Sequence, residues 1–251
     1  MYVDSHIHLQ DYKTHNVKNV VTNAIKNEVM HFINPSAHPS DWANVAALAA
    51  QYPQITPAFG IHPWYIAAAS PVWAQELEQY LQNNPSALVG ECGIDKLKNP
   101  DTESQINILK AQINLAHKYN RPLIIHAVKA DSELRDLFPA LPSRTIFHSF
   151  TGSAEWGKAI QKHGFYLGLN FSILRKKNAA EILRELDLKQ ILLETDGPYQ
   201  NFEKGVETLP QNLPQLAAEV AELLQIPPAE FAQTICKNQN EFLGENNAKR
   251  T

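Results

Sequence analysis

The feature that most constrains the fold is a regular alternation of short apolar segments with longer segments of helical periodicity. Eight apolar segments predict strands at residues 2–8, 29–34, 55–61, 87–91, 122–126, 144–149, 165–170 and 190–196. Strands that alternate with helices in this way predict a parallel sheet wound with helices. A chain of 251 residues has the size of a TIM-type (β/α)8 barrel. We therefore predict an α/β barrel that residues 1–251 form as a single domain, with an additional C-terminal helix.

Local signals indicate where several helices begin. Ser70 precedes Pro71, which suits the first position of a helix, and Thr102 with Gln105 has the spacing of a capping box. After the eighth predicted strand, two apolar stripes each predict an amphipathic helix. The first stripe consists of Leu213, Leu216, Val220, Leu223 and Leu224, and the second of Phe231, Ile235 and Phe242.

Side chains that can bind metals recur at the carboxyl ends of the predicted strands. His6 and His8 end the first strand, where a spacing of two would turn both rings to one face. The remaining candidates are Glu91 on strand four, His126 on strand five, His148 on strand six and Asp196 on strand eight. In an α/β barrel these strand ends meet at one mouth, where catalytic residues collect. The pattern therefore predicts that the six side chains converge.

Four histidines and two carboxylates exceed the three protein ligands that a catalytic zinc ion uses. We therefore predict two divalent ions bridged by Glu91, with His6, His8 and Asp196 at one ion and His126 and His148 at the other. Imidazole-rich ligation favours zinc, with manganese, nickel, iron or magnesium as alternatives. Each residue by itself could instead be an ordinary buried polar group. Six such groups in one pocket without metal would carry a severe desolvation cost, which favours ligation.

A water shared by two ions becomes a bridging hydroxide that can attack either phosphorus or a carbonyl carbon. We expect Asp196 to orient this water and accept its proton, and His62, just after strand three, to contact the scissile phosphate or the leaving group. Three functions remain open at this point: hydrolysis of a phosphodiester, hydrolysis of an amide, ester or lactone, and a non-catalytic metal-binding module. The number of ligands disfavours the last.

The same motifs, in the same order, resemble those of the TatD-related metal-dependent hydrolases. They are Asp4-Ser5-His6-Ile7-His8, Gly60-Ile61-His62-Pro63, Val89-Gly90-Glu91-Cys92-Gly93-Ile94-Asp95, Pro122-Leu123-Ile124-Ile125-His126, His148-Ser149-Phe150-Thr151-Gly152-Ser153 and Leu193-Glu194-Thr195-Asp196-Gly197-Pro198-Tyr199. The resemblance implies an amidohydrolase-like barrel and a divalent-metal phosphodiesterase, typically a deoxyribonuclease. It also implies the metal ligands named above.

Departures from the family pattern concern the expected substrate contacts. The family usually has an arginine two residues after the strand-five histidine. Here Val128 occupies that position and Lys129 follows one residue later. Lys204 stands at another position where arginine is common. A lysine supplies charge without the bidentate fork of arginine. We expect Lys129, Ser153 and Lys204 to contact substrate, with Ser153 acting beside the free amides of a helix start. Capping of that helix is the alternative role for Ser153.

Charge narrows the class of partner. The chain has 26 acidic and 22 basic side chains and a net charge of -4, so it lacks the positive field of proteins that coat nucleic acid. Basic residues on the predicted mouth loops either hold phosphates or form a solvated surface. Trp64 and Tyr65 either stack an unpaired base or pack on the next helix. We expect nucleic-acid ends, single-stranded in preference, or a small phosphodiester as substrate, and no obligate protein partner.

The beginning of the chain has no basic segment followed by an apolar one, and no later apolar run reaches the length of a membrane span. The sequence therefore predicts a cytoplasmic protein without membrane contact.

Overall fold

The computed structural model describes residues 1–99, 101–200 and 205–244. Within them the strands are β1 Tyr2–Asp4, β2 Val29–Pro35, β3 Ile55–Phe59, β4 Leu88–Asp95, β5 Leu123–Val128, β6 Thr145–Phe147, β7 Tyr166–Leu169 and β8 Ile191–Leu193. The α-helices are α1 Val17–Lys26, α2 Trp42–Gln51, α3 Trp73–Asn83, α4 Thr102–Lys118, α5 Asp131–Leu137, α6 Ala154–Gln161, α7 Phe171–Leu174, α8 Ala179–Arg184, α9 Leu213–Leu224 and α10 Pro228–Leu243.

The strands follow chain order in the sheet, from β1 to β8. The pairs β1–β2, β3–β4, β4–β5, β5–β6 and β7–β8 are parallel. Parallel strands in this order with intervening helices have the (β/α)8 topology, so the predicted fold class is confirmed. Each of the eight predicted strands overlaps an observed one. The chain forms two compact units, Met1–Ile33 with Ser149–Thr251, and Asn34–His148.

In the first unit, the last helix holds the backbone of two strands. Gln239 on α10 donates to the carbonyl of Val3 at 2.6 Å and accepts from its amide at 3.1 Å. Asn238 donates to the carbonyls of Leu188 and Ile191 at 2.7 and 2.8 Å. The predicted helices α9 and α10 are confirmed, and α10 positions β1 and the start of β8 through buried amide side chains.

In the second unit, α4 buries two glutamines two turns apart, which places them on one helix face. Gln112 accepts from the amide of Ile61 at 2.8 Å and donates to its carbonyl at 3.3 Å. Gln105 makes the same pair of bonds to Asp95, at 2.7 and 3.3 Å. Both glutamines are at most 1% exposed. The helix therefore fixes the segment after β3 and the end of β4, which carry candidate site residues.

The predicted helix starts need correction. Asp101 caps α4 by accepting from the amide of Ser104 at 3.1 Å, so the Thr102–Gln105 capping box is wrong. Gln105 cannot reach back to a cap because its side chain is buried against β4. The helix predicted near Ser70 begins at Trp73. Among the described residues, no helix combines the length and apolar character needed to cross a bilayer.

Candidate metal centre

In the first unit, His6, His8 and Asp196 form what we call the first ligand group. The Nε2 atoms of His6 and His8 lie 3.1 Å apart. Asp196 Oδ1 lies 3.9 Å from His6 Nε2 and 3.7 Å from His8 Nε2. All three residues are buried, with at most 6% of their surface exposed. The three donor atoms therefore converge within a shielded part of this unit.

The reason that these rings converge differs from the one predicted. Strand β1 ends at Asp4, so His6 and His8 lie in the loop beyond it and not on an extended strand. Main-chain hydrogen bonds place this loop: the amide of Asp196 donates to the carbonyl of His6 at 2.9 Å, and the amide of His8 donates to the carbonyl of Gly197 at 2.7 Å. Asp196 has a φ of +54°, a left-handed conformation that aspartate tolerates better than most residues.

Asp4 forms hydrogen bonds to both chain segments that carry the first ligand group. Its carboxylate accepts from the amide of Thr195 at 2.9 Å, from the hydroxyl of Thr195 at 2.6 Å and from the amide of His6 at 3.4 Å. Complete burial raises the pKa of Asp4 to about 8, against the opposing effect of the Thr195 bonds. Asp4 therefore joins the loop of His6 to the loop of Asp196.

In the second unit, three imidazole rings surround one carboxylate oxygen, Oε1 of Glu91. The distances to it are 2.8 Å from His148 Nε2, 3.0 Å from His126 Nδ1 and 3.3 Å from His62 Nε2. His126 Nδ1 also lies 3.2 Å from His148 Nε2. We call Glu91, His126 and His148 the second ligand group. Glu91 is 3% exposed, and β4 and β5 position it and His126 directly.

The hydrogen bonds of His62 indicate which of its nitrogens carries a proton. Nδ1 accepts from the backbone amide of Trp64 at 3.1 Å, so Nδ1 has no proton in the neutral ring. Nε2 then holds the proton and points towards Glu91. Burial lowers the pKa of His62 to about 4, although the charge of Glu91 opposes the shift. His62 therefore offers an N–H group from Nε2, which suits a hydrogen-bond donor better than a metal ligand.

Asp95 orients His126 from the opposite side. Its Oδ2 lies 3.4 Å from His126 Nε2 and accepts from Trp64 Nε1 at 2.6 Å, while Oδ1 accepts from the amides of Leu97 and Lys98 at 2.8 and 3.0 Å. Burial acts to raise the pKa of Asp95, but these hydrogen bonds hold it below its usual value. A proton on His126 Nε2, donated to Asp95, leaves the Nδ1 lone pair directed at Glu91 and His148.

The donor atoms fit divalent cations. In each ligand group, two imidazole nitrogens and one carboxylate oxygen lie within 3.9 Å of one another. Their lone pairs can therefore share one cation. Nitrogen and carboxylate oxygen donors of this kind are typical of zinc and of manganese, iron or nickel. Donor atoms of His62, Glu91 and His126 also lie within 4.8 Å of one another.

The three residues predicted to contact substrate differ in their environment. Lys129 is exposed and directly follows β5. Ser153 caps α6, accepting from the amide of Trp156 at 3.2 Å, which is the alternative role foreseen for it. Lys204 lies outside the described residues. Lys96, another basic residue of the predicted mouth loops, is paired with Glu133 at 2.6 Å.

Sequence reasoning missed the roles of Asp95 and Asp4. A usable signal existed for Asp95, because it lies four residues after Glu91 in one strand and therefore on the same face. Asp4 lies two residues before His6, yet nothing local indicates that its partner is Thr195, 191 residues away.

Comparison with known proteins agrees with these observations. The sequence model of the TatD related DNase family matches residues 3–244. The uncharacterized metal-dependent hydrolase YjjV of Escherichia coli K12 is 30% identical over 215 residues, covering 82% of this chain and 83% of that protein. The crystal structure of the same TatD homologue has a TM-score of 0.91 at 27% identity and covers 98% of both chains. The deoxyribonuclease Tat-D of Schizosaccharomyces pombe is 32% identical over 116 residues, covering 44% of this chain and 37% of that protein.

The fold and the relatives are those of a metal-dependent hydrolase with an α/β barrel. More specifically, the chain belongs to the TatD related DNase family.

Proposed function

We propose that this hydrolase cleaves phosphodiester bonds at the ends of single-stranded DNA, using two divalent ions. One observation carries the proposal: three imidazole nitrogens lie within 3.3 Å of one buried carboxylate oxygen, Glu91 Oε1. A carboxylate in such surroundings suits a ligand shared between ions. The deoxyribonuclease activity that the name of the S. pombe relative states supports DNA as the substrate class.

We further propose that both ligand groups serve one centre in one catalytic domain. His6, His8, His148 and Asp196 follow their strands, and Glu91 and His126 lie within β4 and β5. The carboxyl ends of the strands of a (β/α)8 barrel share one catalytic face. His6, His8 and Asp196 would hold one ion, His126 and His148 the other, and Glu91 would bridge them. Zinc is the preferred ion, with manganese, nickel, iron or magnesium as alternatives. The family match over residues 3–244 supports a single functional domain.

Divalent ions supply Lewis acidity and lower the pKa of water. The residues of the chain supply orientation and proton transfer. Asp196 is proposed to orient the attacking water and accept its proton, because a carboxylate can do both. His62 is proposed to donate the Nε2 proton in a hydrogen bond to a phosphate oxygen or to the leaving group, since its Nδ1 already accepts from Trp64. Asp95, 3.4 Å from His126 Nε2, would keep the His126 ring in the tautomer that binds through Nδ1.

The charge of the molecule supports a strand end as substrate. A net charge of -4 does not favour wrapping of a duplex, whose affinity for proteins depends on neutralising many phosphates. A barrel mouth admits a single strand more readily than a stacked double helix. Lys129 is exposed and lies three residues after His126 of the second ligand group. We propose that Lys129 holds a phosphate, as do Ser153 and Lys204.

A substrate panel with protein of measured metal content tests the proposal. We expect shortening of an end-labelled single-stranded oligonucleotide from a terminus and no nicking of closed circular duplex. Efficient internal cutting of the circle would contradict action at ends. Inactivity on every phosphodiester, combined with turnover of a lactone or amide, would replace the proposed reaction with carbonyl hydrolysis.

A charge variant tests the phosphate contact. Lys129→Gln should raise KM for the oligonucleotide and weaken its dependence on salt, because one phosphate contact is lost, while the metal content stays the same. Lys110→Gln, which removes an exposed lysine from α4, is the matched control. Equal effects of the two substitutions would indicate a general charge effect and not a contact.

A further inference from the structure

Trp64 is an exposed ring that is nevertheless held in place. Its side chain is 46% exposed, whereas Trp42 and Trp156 are at most 6% exposed. The indole Nε1 donates to Oδ2 of the buried Asp95 at 2.6 Å. A hydrogen bond from an exposed indole to a buried carboxylate fixes the orientation of the ring and reduces the entropy lost when a ligand packs against it. Trp64 is therefore arranged as a fixed surface.

The ring lies beside a residue of the proposed catalytic machinery. Its centroid is 4.9 Å from that of His62, with the planes at 82°, and its backbone amide donates to His62 Nδ1. The exposed Lys98 places Nζ over the ring, 5.4 Å from its centroid, in a cation–π contact that a stacking base would replace. An apolar ring, an exposed cation and the proposed phosphate contact of His62 are thus neighbours within one unit. That combination matches the parts of a nucleotide, a flat base and a charged phosphate.

We propose that Trp64 is a stacking platform for the nucleobase next to the scissile bond, and that Lys98 pairs with the adjoining backbone phosphate. The proposal rests on the phosphodiesterase function proposed above. Base stacking on an aromatic side chain tolerates any base sequence, because every base has a π-face. A base can reach the indole only when it is unstacked from its own strand. The platform therefore gives a physical reason for preferring single-stranded ends.

Kinetics on matched substrates separate stacking from other effects of the ring. The two substrates are a short single-stranded oligonucleotide and the same oligonucleotide with abasic residues at its terminus. Trp64→Ala should raise KM for the base-bearing substrate by roughly 5- to 150-fold and leave KM for the abasic one nearly unchanged. Trp64→Phe, which keeps a flat ring but loses the bond to Asp95, should fall between. Leu97→Ala removes a 70% exposed side chain from the same loop and serves as control.

A binding measurement provides a readout independent of turnover. A deoxynucleoside 5′-monophosphate should quench tryptophan fluorescence of the metal-loaded protein, and deoxyribose 5-phosphate should not. Trp73 is partly exposed, so both proteins carry Trp73→Phe in this measurement. The quenching should then vanish on adding Trp64→Phe, because Trp42 and Trp156 are buried.

The outcomes distinguish this inference from the function on which it rests. If the wild-type protein cleaves the oligonucleotide but Trp64→Ala raises KM for both substrates equally, or if quenching survives in Trp64→Phe, the platform is refuted and the nuclease function stands. If the wild-type protein cleaves no phosphodiester, the proposed function fails. Base-dependent quenching in that case would still identify a nucleotide-binding surface.

Discussion

Replacement of Asp95 by asparagine perturbs the second ligand group without removing a proposed ligand. Both carboxylate oxygens accept hydrogen bonds, Oδ2 from the Trp64 and His126 rings and Oδ1 from two backbone amides. The amide group of asparagine would face N–H donors in either orientation. In one orientation the NH2 group faces the N–H groups of the two rings. In the other it faces the backbone N–H groups of Leu97 and Lys98.

The magnitude follows from the number and burial of these bonds. Hydrogen-bond partners of ligating histidines are typically worth roughly 10- to 100-fold in metal affinity, which corresponds to about 1.4 to 2.7 kcal/mol. Asp95 is 2% exposed, so donors that lose it are not readily resolvated. We expect Asp95→Asn to weaken the binding of one ion by that factor and to lower the unfolding free energy of the metal-free protein by about 1 to 3 kcal/mol.

Competitive titration with a chromophoric chelator measures the affinity of each ion, and urea denaturation measures stability. Asp101→Asn is the matched control, because Asp101 caps α4 from an exposed position and asparagine caps equally well. Wild-type zinc affinity in Asp95→Asn, or an equal loss in Asp101→Asn, would refute the idea that Asp95 orients His126.

Three further substitutions test the site and its scaffold. Glu91→Gln should abolish binding of both ions because an amide cannot replace the shared charge; elemental analysis checks this, and two retained ions with full activity would refute the bridge. Asp196→Asn should lower kcat by roughly 100- to 10,000-fold with modest metal loss, and parallel losses in turnover and metal content would make Asp196 only a ligand. Gly93→Ala should lower the unfolding free energy by roughly 2 to 4 kcal/mol, because an added Cβ would lie 2.0 Å from the carbonyl oxygen of His126. Gly164→Ala, at φ +82° with no atom within 4 Å of its Cβ, is the denaturation control; an equal midpoint shift would exclude the clash.

The sequence by itself determined the order and type of the elements. Hydrophobic periodicity is a local property, so the alternation of strands with helices predicted all eight strands and the helices α9 and α10. It also predicts candidate metal ligands near the strand ends, where functional side chains of this topology occur. Their imidazole and carboxylate groups predict divalent metal.

Tertiary structure decided how those residues are held, because the contacts responsible join positions that are far apart in the chain. The rings of His6 and His8 converge through a loop bonded to the segment after β8, and not through strand alternation. Gln105 supports β4 and does not cap its own helix. Asp95 on β4 lies 3.4 Å from His126 Nε2 on β5, although the two residues are 31 positions apart. A hydrogen bond between such positions leaves no periodic mark in the sequence, since it depends on where the folded backbone brings two side chains together.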